Sequence, residues 1–157
     1  AQLIKGTALS TEQREYVETI SSSADNLLKI INSILDLSRV EMGKFDLNID
    51  TVDVCKIIME LQTLFTPSAS EKGLDLRISC PDTLHHVRTD EGMIRQILIN
   101  LMGNAIKFTD AGYIGLSVEL AEKHGNECTL RFIVSDTGIG ISEEAQKRIF
   151  SEFTQAD

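Results

Sequence analysis

Between residues 10 and 39, apolar or small side chains recur at Ile20, Ala24, Leu27, Ile31, Ile34 and Ser38, in alternating steps of four and three. That spacing holds a narrow stripe on one side of an α-helix, the seam by which helices pack in a bundle. Leu28 and Leu35 widen it. Ser10-Thr11-Glu12-Gln13 supplies the start signal, with Ser10 as N-cap and Gln13 reaching back. Gly43 is the first strong stop. Over residues 44–53 the period changes to two, with Phe45, Leu47 and Ile49 alternating with polar residues, which predicts a strand and linker. Helical spacing returns at 54–65, where Ile57, Ile58, Leu61, Leu64 and Phe65 share a side, and Pro67 predicts the end.

Residues 74–79 alternate as a strand, and Val87 marks the centre of a short one. Residues 90–108 predict a helix with Ile94, Ile97, Leu98, Leu101, Ala105 and Phe108 inward. Strands follow at 113–120 and 129–134, separated by a polar turn over 123–126. Ser142 then caps a short helix, with Glu143 and Glu144 in its positive first turn. Helices and strands interleaved with antiparallel connections predict an α+β sandwich. The expected domains are a helical part, 1–43, and a mixed part, 44–157.

Composition narrows the function. A formal net charge of −9 disfavours a nucleic-acid surface, because a phosphate backbone would be repelled by most of this protein. It leaves room for a nucleotide, whose phosphates need only a few backbone N–H groups and one lysine. Cys55, Cys80 and Cys128 are odd in number and have no CxxC spacing. They predict buried reduced thiols rather than a metal site or disulfide framework, as suits a cytoplasmic protein. No apolar run approaches the ~20 residues that span a bilayer. A start at Ala1 and a pattern still running at Asp157 suggest an excerpt.

Two clusters carry candidate chemistry. On the 90–108 helix, Asn100 and Asn104 lie one turn apart on one face, and Lys107 follows three residues later. Two amides and an ammonium suit a hydrated Mg²⁺ and the phosphates it bridges, since Mg²⁺ takes few protein oxygens and keeps several waters. Alone, they are equally well solvated polar positions on an amphipathic helix. The second cluster, Val134-Ser135-Asp136-Thr137-Gly138-Ile139-Gly140-Ile141, is an apolar run leading to an acid and two glycines. Glycine allows positive φ and close backbone approach to a ligand, and an Asp there can accept from the exocyclic amine of adenine. The GxG by itself is weak: it lacks the third glycine of a dinucleotide fingerprint and the GK[ST] of a P-loop.

In this order, about thirty residues apart, the clusters are far more specific. Residues 95–109 resemble the N box of the GHKL superfamily, and Asp136-Thr137-Gly138-Ile139-Gly140 resembles its G1 box. Phe150-Ser151-Glu152-Phe153 is similar to its F box, and residues 28–47 resemble the second dimerisation helix and linker of the sensor histidine kinases. The resemblance implies a Bergerat-type ATP-binding α/β sandwich, incomplete at its C-terminus, behind a long dimerisation helix. It implies ATP and Mg²⁺ as cofactors, with Asn104 on the metal, Asn100 beside the phosphates and Lys107 contacting them. Asp136 would bind the adenine amine, Gly138, Ile139 and Gly140 would line the nucleotide, and Phe150 and Phe153 would anchor the base of an ATP lid. The implied partners are a second copy, through the helical segment, and a response-regulator receiver domain.

Two parts of the family pattern are missing from these residues. Nothing matches the phosphoacceptor segment: His85 and His86 precede a short strand and His124 lies in a polar turn. The lid and second glycine box, expected after the F box, do not appear before Asp157. The 157 residues alone are therefore expected to be inactive as a kinase. A GHKL ATPase of the gyrase, MutL or chaperone type is the competing enzyme class, but those place a glutamate where Asn100 stands, as general base for water. A non-catalytic dimerisation module is the third reading, weakened by competent residues at the Asn, Lys and Asp positions.

Overall fold

The capping box forms in the computed structural model of the chain. The Ser10 amide donates to Gln13 Oε1 at 3.0 Å, and the Gln13 amide donates to Ser10 Oγ at 3.2 Å. The structure describes residues 4, 7, 9–41, 47–81, 84 and 86–149. They fall in two compact units, Ala1–Leu47 and Asn48–Asp157. The first is built on helix α1 (Thr11–Glu41). Its apolar seam faces outward: Ile20 is 61% exposed, and Leu27, Ile31 and Ile34 are also exposed.

The second unit runs β1 (Asp50–Asp53), α2 (Val54–Glu71), β2 (Asp75–Ser79), β3 (His86–Thr89), α3 (Glu91–Phe108), β4 (Tyr113–His124), β5 (Glu127–Asp136) and α4 (Glu143–Gln146). β1 and β3 pair antiparallel, with Val52 opposite Val87. In the other sheet β4 is central, parallel to β2 and antiparallel to β5. Period-two alternation sends Ile114, Leu116 and Val118 of β4 into the core. There they meet Val54, Ile57, Ile58 and Leu61 of α2 and Leu98, Met102 and Ala105 of α3. Burying each large aliphatic side chain contributes about 1.5–3 kcal/mol, so this layer is what holds α3 in place. The result is the α+β architecture that the interleaved pattern predicts.

Several expectations need correction. Helix α2 does not stop before Pro67 but continues to Glu71. Pro67 is exposed, so the carbonyl it leaves without a donor can face water, and continuing the helix buries Ala69 in the core. Of the 44–53 strand only Asp50–Asp53 is paired; residues 44–46 lie outside the described residues, and Leu47 and Ile49 are exposed. On α2 Leu64 is exposed. On α3 the inward line is Leu98, Met102 and Ala105, which turns Ile97, Leu101 and Phe108 outward. The β4–β5 hairpin is longer than expected, with Gly125 at φ 60° in a two-residue turn after His124 pairs with Glu127.

The cysteines do not behave as three buried thiols. Cys55 and Cys80 form a disulfide, and Cys128 is free and exposed. The cause is packing at long range: α2 lies on β2, which brings the two Cα atoms to 5.7 Å across a sequence separation of 25.

Candidate nucleotide site

Helix α3 begins at Asp90, whose Oδ1 accepts the Met93 amide at 3.0 Å while Oδ2 accepts the Asn48 amide at 2.8 Å. These bonds favour the carboxylate, with Met93 the larger cause and Asn48 next, and hold Asp90 below the usual carboxylate range. One turn on, Arg95 reaches Glu91 at 2.6 Å and Glu60 at 2.7 Å, tying α3 to α2. Asn100, Asn104 and Lys107 then emerge on the exposed side of the helix. Among the described residues, neither asparagine amide has a hydrogen-bond partner. Lys107 Nζ lies 4.8 Å from the centre of the Phe108 ring.

The Asp136–Gly140 turn is stitched to the end of this helix. The Ile139 amide donates to the Phe108 carbonyl at 3.3 Å. A Cβ on Gly138 would collide with that same carbonyl and with Asp136 Oδ1, so only glycine permits this approach. Asp136 Oδ1 accepts the Gly138 amide at 2.8 Å, and the carboxylate remains exposed. Gly140 has φ 71°, and Ile139 beside it is 81% exposed. The structure thus brings Lys107, through its neighbour Phe108, to the glycine turn.

Two further residues build this corner. Thr137 Oγ1 accepts the Tyr113 amide at 3.0 Å and donates to the Ala111 carbonyl at 3.1 Å, pinning the turn to the start of β4. Lys72 caps the end of α3: its ammonium donates to the carbonyls of Ile106 at 2.8 Å, Thr109 at 3.2 Å and Lys107 at 3.3 Å. Neither role is visible in the sequence: Thr137 sits inside the Asp-Thr-Gly-Ile-Gly motif with no signal of its own, and Lys72 lies over thirty residues before the carbonyls it binds. Phe150 and Phe153 lie outside the described residues, as does His85. His86 heads β3 and is exposed, and His124, at the hairpin tip, sits 3.6 Å from Glu122.

The described residues hold no group of three His, Cys, Asp or Glu side chains able to bind a metal. An exposed asparagine carbonyl with a lysine one turn away nevertheless fits Mg²⁺, which arrives with nucleotide phosphates and keeps most of its waters. No helix among the described residues is long and apolar enough to cross a membrane.

An amide- and lysine-bearing helix joined at its end to an Asp-Thr-Gly-Ile-Gly turn, on one face of a mixed sheet, defines an ATP-binding domain of the GHKL class. Residues 89–157 match the family described as "Histidine kinase-, DNA gyrase B-, and HSP90-like ATPase", and residues 1–43 match "His Kinase A (phospho-acceptor) domain". The chain belongs to the sensor histidine kinases. It is 41% identical over 159 residues to the autoinducer 2 sensor kinase/phosphatase LuxQ of Vibrio cholerae, covering 100% of this chain and 18% of that protein. It is 40% identical over 152 residues to the signal transduction histidine-protein kinase BarA of Escherichia coli K12, covering 96% and 17%. The chain thus spans less than a fifth of these relatives' length. Among solved structures, full-length ShkA in complex with AMPPNP superposes with a TM-score of 0.82 at 37% identity, over 99% of this chain and 33% of that one.

Proposed function

We propose that this chain is the nucleotide-binding part of a histidine kinase. The parent protein transfers the γ-phosphoryl of ATP to a histidine outside these residues, for relay to a response-regulator aspartate. The observation that carries the reading is the bond from the Ile139 amide to the Phe108 carbonyl, which joins the two halves of the site into one corner. The relative solved with AMPPNP supports ATP as the ligand.

In this reading Asn104 supplies a carbonyl to Mg²⁺, and Asn100 and Lys107 face the phosphates. Asp136 has one oxygen engaged by the Gly138 amide, which orients the carboxylate to accept from the adenine amine. Gly138, Ile139 and Gly140 line the nucleotide. Magnesium supplies charge neutralisation at the transferring phosphate, and the protein's own part is positioning. Asparagine at position 100 has no useful basicity for activating water, which favours phosphotransfer over hydrolysis. The helical part, taken as residues 1–43, pairs with a second copy through its exposed Ile20, Leu27 and Ile34 seam. The 157 residues alone do not autophosphorylate.

Titration calorimetry of the full-length protein with Mg·ATP tests this. Wild type binds, and Asn104→Ala weakens binding by at least about tenfold, because it removes one of few protein ligands from a hydrated cation. Asp136→Asn reduces the preference for ATP over GTP. Equal affinities for wild type and Asn104→Ala would remove Asn104 from the metal role.

A further inference from the structure

We propose that Lys72 is a positioning residue for the nucleotide site, acting through the last turn of α3; the proposal rests on the nucleotide reading above. A helix ends with carbonyls that have no intrahelical donor, and these concentrate partial negative charge. In α3 the residues concerned are the ones that serve the site: Lys107 faces the phosphates, and the Phe108 carbonyl receives the Ile139 amide. Lys72, at the C-cap of α2, reaches across and donates to Ile106, Lys107 and Thr109. An ammonium has three protons, and here three carbonyls accept them.

The arrangement is selective. Lys72 takes the carbonyls on either side of Phe108 and leaves the Phe108 carbonyl to the glycine turn. Fixing its neighbours fixes the peptide plane through which that carbonyl points. Bonds from an ammonium to carbonyls are charge-assisted and stronger than neutral ones. The other contact of Lys72, with Asp110 at 3.7 Å, involves a carboxylate that is 92% exposed and contributes little. The side chain itself is 36% exposed, so much of it is shielded from water while its head makes these bonds.

Capping alone would make Lys72 a stability residue. Positioning makes a different demand: in folded protein, loss of Lys72 must loosen the turn that lines the nucleotide. The test uses the full-length protein with Lys72→Met and Lys72→Arg, read by Mg·ATP calorimetry at low temperature and by hydrogen exchange at the Ile139 amide without nucleotide. Lys72→Met should lose about tenfold in affinity, the scale of a hydrogen bond to a charged group, and its Ile139 amide should exchange several-fold faster. Lys72→Arg, which keeps charge and donors, should recover most of both.

A folded Lys72→Met with wild-type affinity and wild-type Ile139 exchange, whatever its melting temperature, overturns the proposal and leaves the nucleotide reading intact. A wild type that binds no nucleotide overturns both. If Lys72→Met does not fold, Lys72→Gln carries the test: it keeps two donors without charge, so an intermediate loss is expected and wild-type affinity is again fatal.

Discussion

The Thr109 hydroxyl is fully buried, at 0% exposure, and among the described residues it has no hydrogen-bond partner. An unsatisfied buried hydroxyl costs about 1–3 kcal/mol of lost solvation. Valine has nearly the same shape and nothing to satisfy. The backbone also suits it, since Thr109 has φ −110° and ψ 121°, the extended region that β-branched residues favour. Thr109→Val leaves the Thr109 carbonyl free to accept from Lys72 as before. The expected gain is therefore about 1–2 kcal/mol, which for a unit of this size raises the melting temperature by roughly 4–8 °C per kcal/mol.

Urea unfolding followed by far-UV circular dichroism reads this as a higher midpoint at unchanged slope. Thr109→Ala is the control. It also removes the hydroxyl but opens space where a methyl was buried, at a cost of about 1 kcal/mol, and should fall below Thr109→Val. A lower midpoint for Thr109→Val would refute the reasoning. It would mean that the hydroxyl is satisfied, as by a buried water, so that valine strands the water's other partners.

Gly138→Ala puts a methyl against the Phe108 carbonyl and Asp136, so the turn must withdraw and release the Ile139 bond. Nucleotide affinity should fall roughly tenfold with the fold retained, and calorimetry showing wild-type affinity would refute this. Asp90 has its folded pKa held low by the Met93 and Asn48 amides. Its contribution is thus present above the unfolded value near ~3.9 and lost as pH falls through the lower folded value. Urea midpoints measured downward from pH 6 should drop more steeply in wild type than in Asp90→Asn, and identical profiles would dismiss the carboxylate. The Cys55–Cys80 disulfide closes a loop of sequence separation 25. Dithiothreitol should therefore destabilise the second unit by about 3 kcal/mol. The effect should vanish in the Cys55→Ser, Cys80→Ser double variant, and an unchanged wild-type midpoint would mean that the thiols are not paired.

What the sequence displayed, it displayed through short-range chemistry. Ser10 and Ser142 bond amides three residues on, so their capping role is written within one turn. The same holds for the alternation of Ile114, Leu116 and Val118. Two of the readings that failed depended on packing against partners far along the chain. Pro67 stays helical because Ala69 is buried beyond it, and Cys55 meets Cys80 only after α2 packs on β2. The outward turn of Ile97, Leu101 and Phe108 follows from a rotation of α3 of less than one residue's spacing, which a stripe this wide does not determine.

The candidate site divides along the same line. Its side chains were legible because amides, a lysine, an acid and glycines at these spacings are uncommon together. What joins them is backbone: the Ile139 amide on the Phe108 carbonyl, with Lys72 holding the carbonyls on either side. Every non-proline residue has an amide and a carbonyl, so such a junction leaves almost no mark in composition or period. Its one trace is Gly138, where the need for bare backbone excludes every side chain. That glycine belongs to the site because it lets helix and turn meet, before any contact with a ligand is considered.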